Sequence, residues 1–160
     1  MILQIFQDAL FAAIAAIGFA SISRPPLRAY PYCAFIAACG HAVRYMLLSA
    51  VSDPLHIVPA TLVASFTVGA LAVFMTPLSK TPAETCLFPA LLPMIPGIYA
   101  YKAFGGLAMC VLARSAEIFD RYFVLFSQNS LMFMALVLSL VLGGTVPVFI
   151  FKKMSFQATR

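Results

Sequence analysis

The sequence predicts an all-α integral membrane protein, a single transmembrane domain over residues 1–160 with about five membrane-spanning helices. Three observations carry this. Hydrophobic residues make up 63% of the chain and charged residues 9%, against about 45–50% and about 25% in ordinary soluble domains. The mean hydropathy is +1.01, and apolar stretches fill the chain from Met1 to Phe151, more than a soluble fold of this size can cover with polar surface. The net charge of +5 arises from ten basic and five acidic residues with no basic stripe among interleaved aromatics. It therefore reads as membrane topology and not as a nucleic-acid footprint. A cytosolic enzyme, a secreted disulfide scaffold, a disordered chain and a nucleic-acid module are excluded.

The first element is Leu3–Ile22. No Lys or Arg precedes Arg24, so the basic n-region of a secretory signal is missing, and the apolar run is long for a signal h-region. It reads as an uncleaved span. Tyr30–Val51 is long enough to be the second, although it carries His41 and Arg44. His56–Thr76, Cys86–Ala108 and Asn129–Phe151 each supply the roughly 20 mostly apolar residues that a bilayer core of about 30 Å requires.

If Tyr30–Val51 does not cross, the protein has four spans. The distribution of Lys and Arg favours five. With five, Arg24, Arg28, Lys80, Lys152, Lys153 and Arg160 share one side, against Arg114 and Arg121 on the other. With four, the split is nearly even. Five spans place the N-terminus outside and the C-terminus in the cytoplasm. In the longest connection, Met109–Gln128, Arg114, Glu117 and Arg121 share one helical face and Ile118, Tyr122 and Phe126 another. That pattern predicts a short amphipathic helix on the outer membrane surface.

Small residues recur every fourth position: Ala12, Ala16, Ala20; then Thr61, Ser65, Gly69; then Ala135, Ser139, Gly143. In lipid such rows let helix backbones approach closely. Cys33, Cys39, Cys86 and Cys110 form no Cys-x-x-Cys pair and no His sits at metal spacing. They read as packing residues, with no metal site and no cofactor implied.

Ionisable groups inside spans are costly and usually functional. Asp8, His41, Arg44 and Lys102 fall in spans. At 1.5 Å per residue, Asp8 and Arg44 both lie roughly 8–10 Å inside the outer boundary, so the two are expected close enough to interact. His41 and Arg44, three apart, share a helical face. Arg44 offers a planar fork suited to a carboxylate, and His41 titrates near neutral pH and so links to protons. Lys102 is nearer the outer end and is placed to snorkel.

The fourth span contains Pro93, Pro96 and Gly97. Each proline removes a backbone donor and collides with the preceding turn, so this helix is expected to break near its middle. Irregular backbone at that depth is tolerated when it is buried in protein or lines a watery cavity. The half-helix beginning near Pro96 is expected to aim free N–H groups at that cavity, with Tyr99 and Tyr101 as hydroxyl donors. Broken helices of this kind hold carboxylates in transporters. The substrate-binding expectation is therefore Arg44, His41, Pro96, Gly97, Tyr99 and Tyr101, with Asp8 as charge partner. No nucleophile–base set, metal motif or paired carboxylates suggest an enzyme, and no phosphate-binding loop suggests direct ATP drive.

The blocks Gly18-Phe19-Ala20, Pro26-x-Arg28-Ala29, Cys33-Ala34, Gly40-His41-x-x-Arg44 and Pro93-x-x-Pro96-Gly97-x-x-Ala100-Tyr101, in this order, resemble the threonine/serine exporter family. More narrowly, they resemble its small, separately encoded membrane half. The resemblance spans nearly the whole chain. It implies one subunit of a two-part exporter of small carboxylates in the bacterial inner membrane. The larger membrane subunit would supply the other half, alone or in a higher oligomer, and the cargo would be succinate or threonine and serine. Lys102 stands outside the matching blocks. A structural subunit that only stabilises a transporting partner is the reading from another class.

Overall fold

The computed structural model describes residues 2–49 and 55–155. Val51 at the end of the second predicted span, and Arg160 in the basic tail, lie outside the described residues. The described residues form helices and short connections, with no strand among them: α1 (Ile2–Ser23), α2 (Tyr30–Leu48), α3 (Ile57–Ser79), α4 (Ala83–Leu91), α5 (Gly97–Val111), α6 (Ala116–Ile150) and α7 (Lys152–Ser155). Short 3-10 turns at Leu27–Ala29 and Leu92–Met94 lead into α2 and out of α4.

Three helices (α1, α3 and α6) are long and apolar enough to cross a membrane. Counted as one interrupted crossing, Ala83–Met94 and Gly97–Val111 bring the number to four. The fourth predicted span is indeed broken. After the turn that holds Pro93, Ile95 and Pro96 leave helical geometry, and α5 starts at Gly97.

The chain divides into two compact units, Met1–Met94 with Ser139–Arg160, and Ile95–Leu138. In the first, α1 and α2 form an antiparallel hairpin. Two hydrogen-bonded pairs set its register: His41 with Asp8 and Tyr45 with Gln4. Stepping by four along each helix then brings Ala12 opposite Ala37, Ala16 opposite Cys33 and Ala20 opposite Ala29. All six are buried, none more than 3% exposed. The alanine row read from the sequence is thus one half of a zipper whose other half lies on α2. Ile2, Leu3, Phe6, Phe11 and Ile14 point away from it and are exposed, as a lipid-facing surface requires.

Helix α3 approaches two neighbours at close range. A Cβ on Gly40 of α2 would collide with Val68 and with the terminal methyl of Met94. On the opposite flank of α3, a Cβ on Gly143 would collide with Ser65, and one on Gly69 with the backbone of Gly144. The Ser65 hydroxyl donates across this crossing to the Ser139 carbonyl at 2.9 Å. In lipid, where hydrophobic exclusion does not drive association, such close backbone packing and interhelical hydrogen bonds hold helices together. α3 ends at Lys80 in the left-handed conformation (φ 50°), and the Lys80 carbonyl accepts from Arg28 at 2.8 Å.

The second unit is a hairpin of α5 and the first part of α6. Gly106 has no room for a Cβ because the Phe126 backbone lies 2.9 Å from that position, and Cys110 Sγ sits 3.8 Å from the Phe119 carbonyl. The stretch Met109–Gln128, expected as a separate surface helix, is instead divided: α5 runs to Val111, and Ala116 opens a helix of 35 residues that continues to Ile150. No Gly or Pro interrupts residues 116–142, so nothing halts propagation. At 1.5 Å per residue this helix is about 52 Å long, well beyond a hydrocarbon core of about 30 Å.

Candidate functional site

The polar residues of the α1–α2 hairpin gather at one end of its zipper. His41 Nδ1 donates to Asp8 Oδ2 at 3.1 Å. His41 is nearly enclosed, its side chain 12% exposed, whereas the Asp8 side chain is 41% exposed. The pairing occupies one ring nitrogen and orients the imidazole. The other, Nε2, is buried and has no hydrogen-bond partner among the described residues. In the neutral ring it presents a lone pair, and in the imidazolium a second N–H. Arg44 lies one turn further along α2, close enough for its charge to act on the His41 ring.

One rung nearer the start of α1, the Tyr45 hydroxyl donates to Gln4 Oε1 at 3.1 Å. Sequence reasoning missed both residues. The available signal was spacing, since Gln4 precedes Asp8 by four and Tyr45 follows His41 by four. Gly40 lets α2 seat against α3 immediately beside His41. The cluster therefore stands on two rigid helices, pressed against a third.

The remaining predicted site residues belong to the second unit. Pro96 (φ −80°, ψ 60°) precedes the first residue of α5 without a side-chain cap. The N–H groups expected to be free there are in part taken up. Gly97 N–H bonds to the Ile95 carbonyl at 2.8 Å, and Tyr99 and Ala100 bond to the Pro96 carbonyl at 3.1 and 3.4 Å. Gly97 has open space beside it. Tyr99 is half-buried, while Tyr101 and Lys102 are exposed. The structure thus brings Asp8, His41 and Arg44 into one neighbourhood with Gln4 and Tyr45, and it confines Pro96, Gly97, Tyr99 and Tyr101 to the turn that opens α5.

Among the described residues no group of three or more His, Cys, Asp or Glu side chains is disposed to hold a metal ion. The arrangement at the α1–α2 end instead combines a guanidinium, an imidazole oriented by a carboxylate, and two neutral hydrogen-bonding groups. That is a set able to bind a small anion and to carry a proton.

Comparison with known proteins gives both a family and a relative. The sequence profile of the threonine/serine exporter family, ThrE, matches residues 8–150. A protein of Haemophilus influenzae whose function is uncharacterised is 36% identical over 143 residues, covering 89% of this chain and 47% of the relative. The chain thus spans about half the length of that relative. No solved structure matches.

Proposed function

The chain belongs to the threonine/serine exporter family, a family of membrane transporters, and from that premise we propose that it is one subunit of a two-component exporter of small carboxylate metabolites. Succinate or a similar dicarboxylate is the cargo favoured here, and the bacterial inner membrane is the location. The supporting observation is the polar cluster of Asp8, His41 and Arg44 in helices that are otherwise apolar. Ionisable groups inside spans are costly and mark functional positions, and a substrate carboxylate is the ligand for which a guanidinium fork is suited. A dicarboxylate needs cationic and neutral donors alone. Threonine or serine also needs an acceptor for the ammonium, which Asp8 offers, and the family's description favours this second reading.

The larger membrane partner is proposed from the resemblance of the matching blocks to the family's small, separately encoded membrane half. Five spans, an outer N-terminus and a cytoplasmic C-terminus complete the arrangement, with α2 as the span that carries the site. The broken turn at Pro96–Gly97, with Tyr99 and Tyr101, is the second element assigned to substrate handling. His41, with Asp8 and Arg44 as the charged groups acting on it, is assigned to proton coupling.

The test is counterflow in membrane vesicles from the native host, with labelled succinate and labelled threonine. Arg44→Ala is expected to abolish exchange of the carried substrate while the subunit still assembles. Normal exchange by assembled Arg44→Ala and Gly97→Leu would leave only the stabilising-subunit reading.

A further inference from the structure

Hydroxyls buried in membrane helices normally satisfy themselves by donating to a carbonyl of the preceding turn. Among the described residues, buried Ser65 and Thr76 bond to Leu62 and Ala72, and half-buried Thr67 and Thr145 to Val63 and Val141. Thr61 departs from this pattern. Its side chain is fully buried, 0% exposed, and Oγ1 has no hydrogen-bond partner among the described residues. A buried hydroxyl without a partner is destabilising, and valine of the same shape would remove that penalty.

The packing of α2 on α3 sets the level of this residue. α2 and α3 run antiparallel: Leu55 N–H bonds to the Leu47 carbonyl at 3.0 Å, and seven residues earlier on α2 Gly40 faces Val68 and Ala64. Interpolation between these two levels brings Thr61 beside the α2 turn that carries Arg44. Thr61 shares one stripe of α3 with Ala64 and Val68, which Gly40 touches, and another with Ser65 and Gly69, which meet Gly143 and Gly144, so it stands where the α2-facing and α6-facing sides of α3 join. The second orphaned atom, His41 Nε2, lies on the same stretch of α2.

We propose that Thr61 is a third substrate-contacting residue of the Arg44–His41 site, its hydroxyl donating to an oxygen of the bound carboxylate. The inference rests on the reading that this site takes a small carboxylate. It assigns α3 a direct part in recognition and gives the unpaired hydroxyl a role that an apolar isostere could not fill.

The test uses native-host vesicles carrying Thr61→Val, Thr61→Ser or Arg44→Ala in place of the chromosomal copy, with labelled succinate and labelled threonine as probes. Thr61→Val is expected to raise KM for the carried probe about three- to tenfold, the worth of one hydrogen bond. Thr61→Ser should stay within about twofold of wild type. Purified Thr61→Val should unfold at the wild-type temperature or above it. A wild-type KM in Thr61→Val, equal damage from Thr61→Ser, or a lowered unfolding temperature with Thr61→Val would each overturn the assignment while Arg44→Ala remains inactive. Unimpaired exchange by Arg44→Ala would instead overturn the underlying reading of the site.

Discussion

Replacing Gly143 by alanine is expected to lower the stability of the first unit markedly, although it adds a single methyl to a helix. The new Cβ would overlap Ser65 Oγ and lie 2.6 Å from the Leu62 carbonyl oxygen and 3.0 Å from the Phe66 nitrogen. Two of these three atoms are backbone, so relief requires α3 and α6 to move apart. Overpacking of this kind costs about 1–3 kcal/mol. Separation also threatens the Ser65–Ser139 bond, where interhelical bonds in membranes are worth about 0.6 kcal/mol and at most about 1.7. Alanine recovers up to about 1 kcal/mol of helix propensity over glycine. The net is a loss of about 1–3 kcal/mol, or a fall in unfolding temperature of roughly 3–10 °C for a chain of this size. Thermal unfolding of the purified protein in detergent reads this directly. Gly18 supplies the control, because nothing lies within 4 Å of its Cβ position, and Gly18→Ala should be neutral or stabilising. If Gly143→Ala unfolds at or above wild type, the α3–α6 crossing is not as close as described and the reasoning fails.

Three further outcomes follow from the same geometry. Ala16→Cys should form a disulfide with native Cys33 on mild oxidation, seen as a shift in tryptic mass, whereas Ala15→Cys should not; the reverse would place the α1–α2 register elsewhere. Asp8→Asn should leave the fold intact but shift the pH profile of export, since the imidazole loses its charged acceptor; a profile identical to wild type would remove Asp8 from the site. Pro96→Ala should extend α5 backwards into Ile95 and lower export without lowering unfolding temperature, and unchanged export would reduce the break to a static feature.

The sequence made legible what depends on spacing within one helix. Ala12, Ala16 and Ala20 form a buried edge, Ser65 and Gly69 meet Gly143 and Gly144, and Pro93 and Pro96 bracket the break. What depends on register between helices was less accessible. A depth estimate at 1.5 Å per residue resolves about one turn, and His41 and Arg44 lie within one turn of each other, so the partner of Asp8 emerges only once α1 and α2 are placed side by side. Gln4 and Tyr45 are marked in the sequence only by their spacing from Asp8 and His41, and Thr61 only as one of a row of small residues; their standing comes from what faces them. The uninterrupted course of α6 from Ala116 past Gln128 had a visible cause in the lack of Gly and Pro there, but the charges at Glu117 and Arg121 suggested a separate helix that the backbone does not make.

The α1–α2 hairpin is uneven along its length. Near the loop its rungs are methyls and a thiol in close contact, with no room for solvent. At the far end they are two hydrogen bonds, Asp8–His41 and Gln4–Tyr45, together worth on the order of 1–3 kcal/mol. Separating the helices at the far end breaks two hydrogen bonds, whereas separating them near the loop opens a close-packed row, so a solute that competes for Asp8 or Tyr45 acts on the end held by the fewer contacts.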